Sequence, residues 1–247
     1  MKRGIVIVLF IIILIALGVM VKITFFPDEQ KSGDEGIFVP PVEIKTPAEL
    51  AEVRTATTKT ETLRRYVNAE RPAFSNLSDF SFQENVNKII ADSINPYINE
   101  IAIVADESVP ATAMYRYTVN YERYNNEDYV SLVVLQNYST GGMRSNVWRD
   151  TYTIDVVNCK VLSLADVCSS ADYKKIIVTE INQQAKNKGI DLFSGNGITN
   201  IPDTQRFYIK DSKLYIYFEP ASVAPYLDGE MHFEMPFEFI NGKFIMN

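Results

Sequence analysis

One histidine, one tryptophan and two cysteines are all that 247 residues contain of those three residue types. A lone histidine, His232, rules out a histidine-rich metal centre. Without a second cysteine pair, a structural zinc site has too few ligands. No G-x-S-x-G elbow, H-E-x-x-H helix or paired-carboxylate motif occurs, so the common hydrolase signatures are missing. The paired glycines Gly141-Gly142 lack the lysine-serine/threonine ending and following helix of a phosphate loop. Basic surplus is also lacking. A net charge of −7 argues against nucleic acid or anionic wall polymers as partners held by bulk charge, and favours a cationic one. There is no internal repeat and no low-complexity tract. No cofactor is expected.

What the chain does have is a long apolar run over residues 4–21, uninterrupted by charge. At about 1.5 Å per residue, such a helix nearly spans a hydrocarbon core of about 30 Å. Lys2 and Arg3 precede it and favour an N-terminus held in the cytoplasm. The expectation is a signal-anchor over 1–26, a flexible tether over 27–45 and an extracytoplasmic domain over 46–247, held at the cell membrane by a single pass. A cleaved signal peptide is the competing reading, with Ala16-Leu17-Gly18 as the cleavage site. The continued apolar character through Phe26 favours the anchor. Cys159 and Cys168 then lie on the oxidising side, where a disulfide is the default.

The rest of the chain reads as α+β: an antiparallel sheet packed with two main helices. Thr46-Pro47-Ala48-Glu49 matches a capped helix start. A strand is expected over 55–67, closed by Arg71-Pro72. Apolar residues at helical spacing give a helix over 82–98, with Asn95-Pro96 kinking or ending it. Alternation over 113–124, 128–138 and 147–157 predicts a meander. A helical region should run from Leu164 through Lys188 and stop at Gly189. A hairpin around Lys210-Asp211-Ser212 and strands over 231–237 and 239–245 finish the sheet.

Candidate functional residues fall in two clusters. Tyr138, Gly141, Gly142 and Arg144 sit in a loop whose glycines permit positive φ or close approach of another chain. Trp148 follows, beside Arg149, as an interface anchor or a packed strand residue. Tyr226 and Asp228 belong to a rigid Pro-aromatic-Asp-Gly corner. Asp155 and Asp166 read as turn and cap residues, and His232 as an outward strand residue.

In order, several short motifs resemble one family. They are Arg71-Pro72 with Asn85-x-Asn87, Tyr138-Ser139-Thr140-Gly141-Gly142, Tyr152-x-x-Asp155, Leu162-Ser163-Leu164-x-Asp166, Phe207-Tyr208-Ile209, Ala224-Pro225-Tyr226-x-x-Gly229 and Met235-Pro236. The stretch from Thr55 to Ile245 is similar to the extracytoplasmic domain of RsiV-type anti-sigma factors, also found ahead of the catalytic domain of PdaC-type peptidoglycan deacetylases. The resemblance implies an α+β domain on the outer face of Gram-positive-like cells that binds lysozyme or serves as a non-catalytic module. Three departures stand out. Gly141-Gly142-Met143-Arg144 replaces Gly-Gly-Ala-His, Cys159 replaces a turn glycine, and three residues before the apolar run provide no sigma-binding segment.

Three functions are therefore in competition. The first is a non-enzymatic, wall-facing binding domain for a basic lysozyme-like protein, another cell-envelope protein or a wall component. The second is a wall-glycan enzyme, which needs Asp155, Asp166, Asp228 or His232 to converge. The third is a structural or assembly component of the envelope.

Overall fold

Thr46 opens the first helix, α1 (Pro47–Leu50), through a reciprocal capping box with Glu49. The structure is a computed structural model and describes residues 45–107, 114–141, 145–192, 197–225 and 230–246. The expected anchor and tether lie outside the described residues, apart from Lys45. Among the described residues, no helix is long and apolar enough to cross a membrane. Thr46–Asn247 is a unit of its own.

Six strands form the main sheet in chain order: β1 (Val53–Glu61), β2 (Arg65–Phe74), β3 (Tyr115–Asn126), β4 (Tyr129–Ser139), β5 (Asn146–Asp155) and β6 (Lys160–Val161). The single strand expected over 55–67 is in fact two, joined by a turn at Thr62-Leu63-Arg64. Thr62 Oγ1 accepts from the N–H groups of Arg64 and Arg65 there. The turn carries no glycine, proline or asparagine, so nothing in its composition announced it. The sheet is not wholly antiparallel either. Between β2 and β3 the chain runs through α2 (Phe80–Glu107), and the two strands pair parallel from Arg65↔Tyr115 to Ala69↔Val119. A crossover helix between neighbouring strands produces that arrangement.

Pro72 does not close β2 but lies within it, opposite Thr55. Pairing with β3 has already stopped at Ala69, so the missing N–H costs no ladder bond. Two residues on, β2 recovers a partner from a side chain. Asn87 of α2 accepts from Phe74 N–H at 2.8 Å and donates to Phe74 C=O at 2.9 Å. One amide group thus stands in for the absent strand, which gives a structural reason for the Asn at this position.

Helix α2 runs for 28 residues with Pro96 inside it, so Asn95-Pro96 does not end it. A proline inside a helix costs about 3 kcal/mol. Beyond it, Ile101 and Ala105 are fully buried, and burial of one such isoleucine returns about 1.5–3 kcal/mol. Packing therefore outweighs the local penalty. Val86, Ile90, Ile94 and Ile101 of α2 meet Val67, Val119, Val130, Leu132 and Val134 to form the first core.

The second core lies on the other side of the sheet. Helices α3 (Leu164–Val167) and α4 (Tyr173–Lys188) replace the one continuous helix expected, because Cys168 leaves helical geometry and makes a strand bridge to Phe244. Gly189 caps α4 in the left-handed conformation, as expected. Strands β7 (Phe207–Lys210), β8 (Lys213–Phe218) and β9 (Met231–Met235) form a separate antiparallel sheet, and β10 (Glu238–Ile240) pairs only with β11 (Lys243–Ile245). Ile177 and Ile181 of α4 pack with Ile209, Leu214, Ile216, Phe233 and Phe244. The small sheet rests edge-on against the large one. Its β7 backbone donates from Ile209 N–H to Ser131 Oγ at 3.0 Å and from Phe207 N–H to Thr151 Oγ1 at 3.1 Å. Side-chain hydroxyls thus satisfy an edge that would otherwise stay open.

Replacing Asn87 with Leu should lower unfolding free energy by about 1–3 kcal/mol. Asn87→Asp should recover only part, since a carboxylate cannot donate to Phe74 C=O. Thermal or denaturant melts followed by circular dichroism check this, and unchanged stability in both variants would contradict it.

Candidate functional site

Alternation along β4 and β5 puts Gln136, Tyr138, Trp148 and Asp150 on the face that looks towards α2. Helix α2 answers with Asp92, Ser93, Pro96, Tyr97 and Glu100, which share one face through their spacing of three and four. Between these elements runs a groove of about 860 Å³, closed on one side by Arg206, Glu219 and Pro220.

The groove wall is aromatic. The Tyr97 and Trp148 ring centroids lie 4.8 Å apart, tilted by 50°. Tyr138 and Tyr117 complete the cluster at 6.2 and 5.8 Å from Tyr97. Such offset and tilted pairs are favoured by the ring quadrupoles. Tyr138 Oη donates to Glu100 Oε1 at 3.3 Å. Burial first, then the Glu100 charge, pushes the Tyr138 phenol up to about 12.

The groove floor is polar and fully engaged. Tyr117 Oη donates to Gln136 Oε1, and Gln136 Nε2 donates to Asp150 Oδ2. Arg206 Nη2 donates to Asp150 Oδ1 at 2.8 Å, and its Nη1 reaches Glu219. Ser93, beside Asp150 in the groove, donates to Ile90 C=O at 2.9 Å and receives a hydrogen bond from Tyr152 Oη at 3.0 Å. Burial raises the Asp150 carboxyl above its ordinary range, and Arg206, Ser93 and Gln136 pull in the opposite direction.

The expected site residues separate into those the structure brings together and those it does not. Tyr138 and Trp148 both line the groove. Gly141 ends the described part of β4's loop at φ +82°, a conformation that suits glycine. Gly142, Arg144, Tyr226 and Asp228 lie outside the described residues. Asp92, Tyr97, Glu100, Asp150, Arg206 and Glu219 were missed. Asp150 had a legible signal, since it stands two residues after Trp148 on one strand face. Arg206 had none, because its contact with Asp150 spans 56 residues.

The expected Cys159–Cys168 disulfide is not formed: both are free thiols. Cys168 points into the second core, where burial pushes its thiol up to about 12. Cys159 holds a turn position at φ +51° and contacts Ser78 Oγ at 3.4 Å. That φ explains why a glycine would suit the position.

Asp155 accepts from the Val157 and Asn158 N–H groups, which makes it a turn residue. Asp166 caps α3. Burial would raise its carboxyl, but hydrogen bonds from Lys160 and Ser163 outweigh that and hold it at about 2. His232 belongs to a third neighbourhood. It is half-buried between the two sheets rather than outward: Tyr208 Oη lies 3.1 Å from Nδ1, and Glu230 Oε2 lies 3.6 Å from Nε2. Glu230 also accepts from Arg149 Nε at 2.7 Å. Among the described residues, no group of three His, Cys, Asp or Glu side chains is placed to hold a metal ion.

Residues 165–238 match the family described as a protein of unknown function, DUF3298. Two crystal structures of proteins given that same family name share the fold. One, from Bacteroides fragilis, is 14% identical over 82% of this chain and 96% of its own, with a TM-score of 0.60. The other, from Pseudomonas aeruginosa, is 13% identical over 78% of this chain and 91% of its own, with a TM-score of 0.56. No curated protein matches the chain.

Burial and then the Arg149 charge lower the His232 pKa, against an opposing pull from Glu230. Unfolded, His232 takes up its proton near 6.5. Just below that pH the unfolded chain binds more protons than the folded one, so stability must fall as pH drops through this point. His232→Gln should therefore lose less melting temperature than the parent between pH 7.5 and pH 5.5. An equal loss in both chains would contradict the assignment.

Proposed function

We propose that this chain is a membrane-anchored, non-enzymatic binding domain that faces the cell wall and seats its ligand in the groove between α2 and β5. The groove itself carries the reading. It is concave, lined by Tyr97, Tyr138 and Trp148, and edged by a few charged groups, the composition in which ligand and protein anchors are usually held. The resemblance to the RsiV-type ectodomain favours a basic lysozyme-like protein as partner, and the net charge of −7 suits one.

Local bonding supports binding over catalysis. A wall-glycan enzyme in the expected form needs Asp155, Asp166, Asp228 or His232 to converge, and of these Asp228 lies outside the described residues. Instead, Asp155 is occupied by turn amides, Asp166 by a helix cap and His232 by Tyr208. Asp150, the most buried acid of the groove, is bonded on both oxygens and faces a guanidinium. A general acid needs a proton to give and a path to a substrate, and this carboxylate is committed to structure.

Calorimetric titration of the full chain in octaethylene glycol dodecyl ether micelles with lysozyme tests the partner. Saturable heat at tens of micromolar or below is expected. No heat in that range would remove lysozyme from the reading.

A further inference from the structure

We infer that the groove recognises a cationic group, the guanidinium or ammonium of a basic side chain, seated against Trp148 and facing Glu100 and Asp92. The inference rests on the binding-domain reading and names what enters the site.

Charge is the first argument. Among the described residues, the groove is lined by the carboxylates of Asp92, Glu100, Asp150 and Glu219 and by a single cation, Arg206. Arg206 is engaged with Asp150 and with Glu219 at once. Its charge is therefore spent at the floor. Glu100 and Asp92 stand on the α2 rim, both exposed. Asp92 has a Lys88 partner one turn back along the helix, a surface pair with both side chains more than half exposed. Such pairs are weak and exchange readily for another cation. The groove therefore presents net negative charge to whatever enters it, which disfavours an anionic ligand outright.

The aromatic wall is the second argument, and it is independent of the first. Trp148 is only partly buried, and it packs on Tyr97 rather than under the sheet. Indole presents the most negative ring face of any side chain and attracts cations that come within about 6 Å of its centroid. Tyr138, whose hydroxyl is already bonded to Glu100, links the ring wall to the acidic rim. A cation there meets ring faces and a carboxylate together. A neutral sugar could also stack on these rings but would gain nothing from the surplus carboxylates, so the charge decides between the two.

Trp148 is the only tryptophan of the chain, so its emission reports the groove directly. The full chain, in the same micelles, is titrated with N-acetyl-argininamide and, separately, with the neutral sugar chitotriose. A saturable change with N-acetyl-argininamide alone is expected, weakened by salt. Glu100→Gln should lower its affinity about fivefold, the loss of one exposed ion pair. Emission that responds to chitotriose and not to the cation, or a cation response that Glu100→Gln leaves unchanged, would overturn the inference. Lysozyme calorimetry on Glu100→Gln separates the two levels. Undiminished lysozyme binding in that variant would retain the binding domain and remove the cation-reading groove. Loss of lysozyme binding in the parent chain, with the N-acetyl-argininamide response intact, would remove the partner and retain the groove.

Discussion

The largely buried carboxylate of Asp150 is the contact on which the layers of this protein depend. It sits on β5, is bonded from β4 by Gln136 and from the approach to β7 by Arg206, and lies beside Ser93 of α2 across the groove. The Gln136 bond lies within the main sheet, and the Arg206 bond joins that sheet to the segment leading into the small one. Taking a carboxylate out of water is costly, and the raised pKa of Asp150 records that cost. The compensation is a charge partner and a hydrogen bond on each oxygen. Such a network adds little stability over an apolar replacement, but removing one member leaves the others stranded. Its value here is positional. It fixes where α2, the main sheet and the small sheet meet, and that meeting line is the floor of the groove.

A related device recurs wherever a backbone edge is left incomplete. Asn87 supplies both bonds that β3 fails to give Phe74. Ser131 and Thr151 accept the N–H groups of β7, and Tyr217 Oη accepts the Arg149 N–H of β5 at 3.2 Å. Polar side chains from the neighbouring helix and sheet thus finish the backbone hydrogen bonding of β2, β5 and β7. The consequence is that the small sheet can lie edge-on against a face of the large one. Each sheet keeps its own apolar core, one under α2 and one under α4.

Local signals were legible in the sequence, and long-range ones were not. The Thr46 capping box, the Gly189 cap and the alternation of β3, β4 and β5 all depend on residues within a few positions of each other. They were readable for that reason. The turn at Leu63, 96% exposed, is built from a threonine side chain and has no turn composition. Pro96 carries a strong local signal that the packing of Ile101 and Ala105 overrides. The candidate site divides the same way. Tyr138 and Trp148 stood out by type and position. Asp150 acquires its role only when Arg206 arrives from the far end of the chain. The cysteine pair misled because spacing says nothing about direction: Cys168 turns into the core while Cys159 stays in a turn beside Ser78.

Amide hydrogen exchange across the full chain, compared between the parent and an Asp150→Leu variant, tests the central role of this carboxylate most directly. If Asp150 ties the layers together, its loss should speed exchange in three places at once: β5, the α2 turn around Ser93 and Tyr97, and β7. Faster exchange confined to β5, with α2 and β7 as protected as in the parent, would contradict the account.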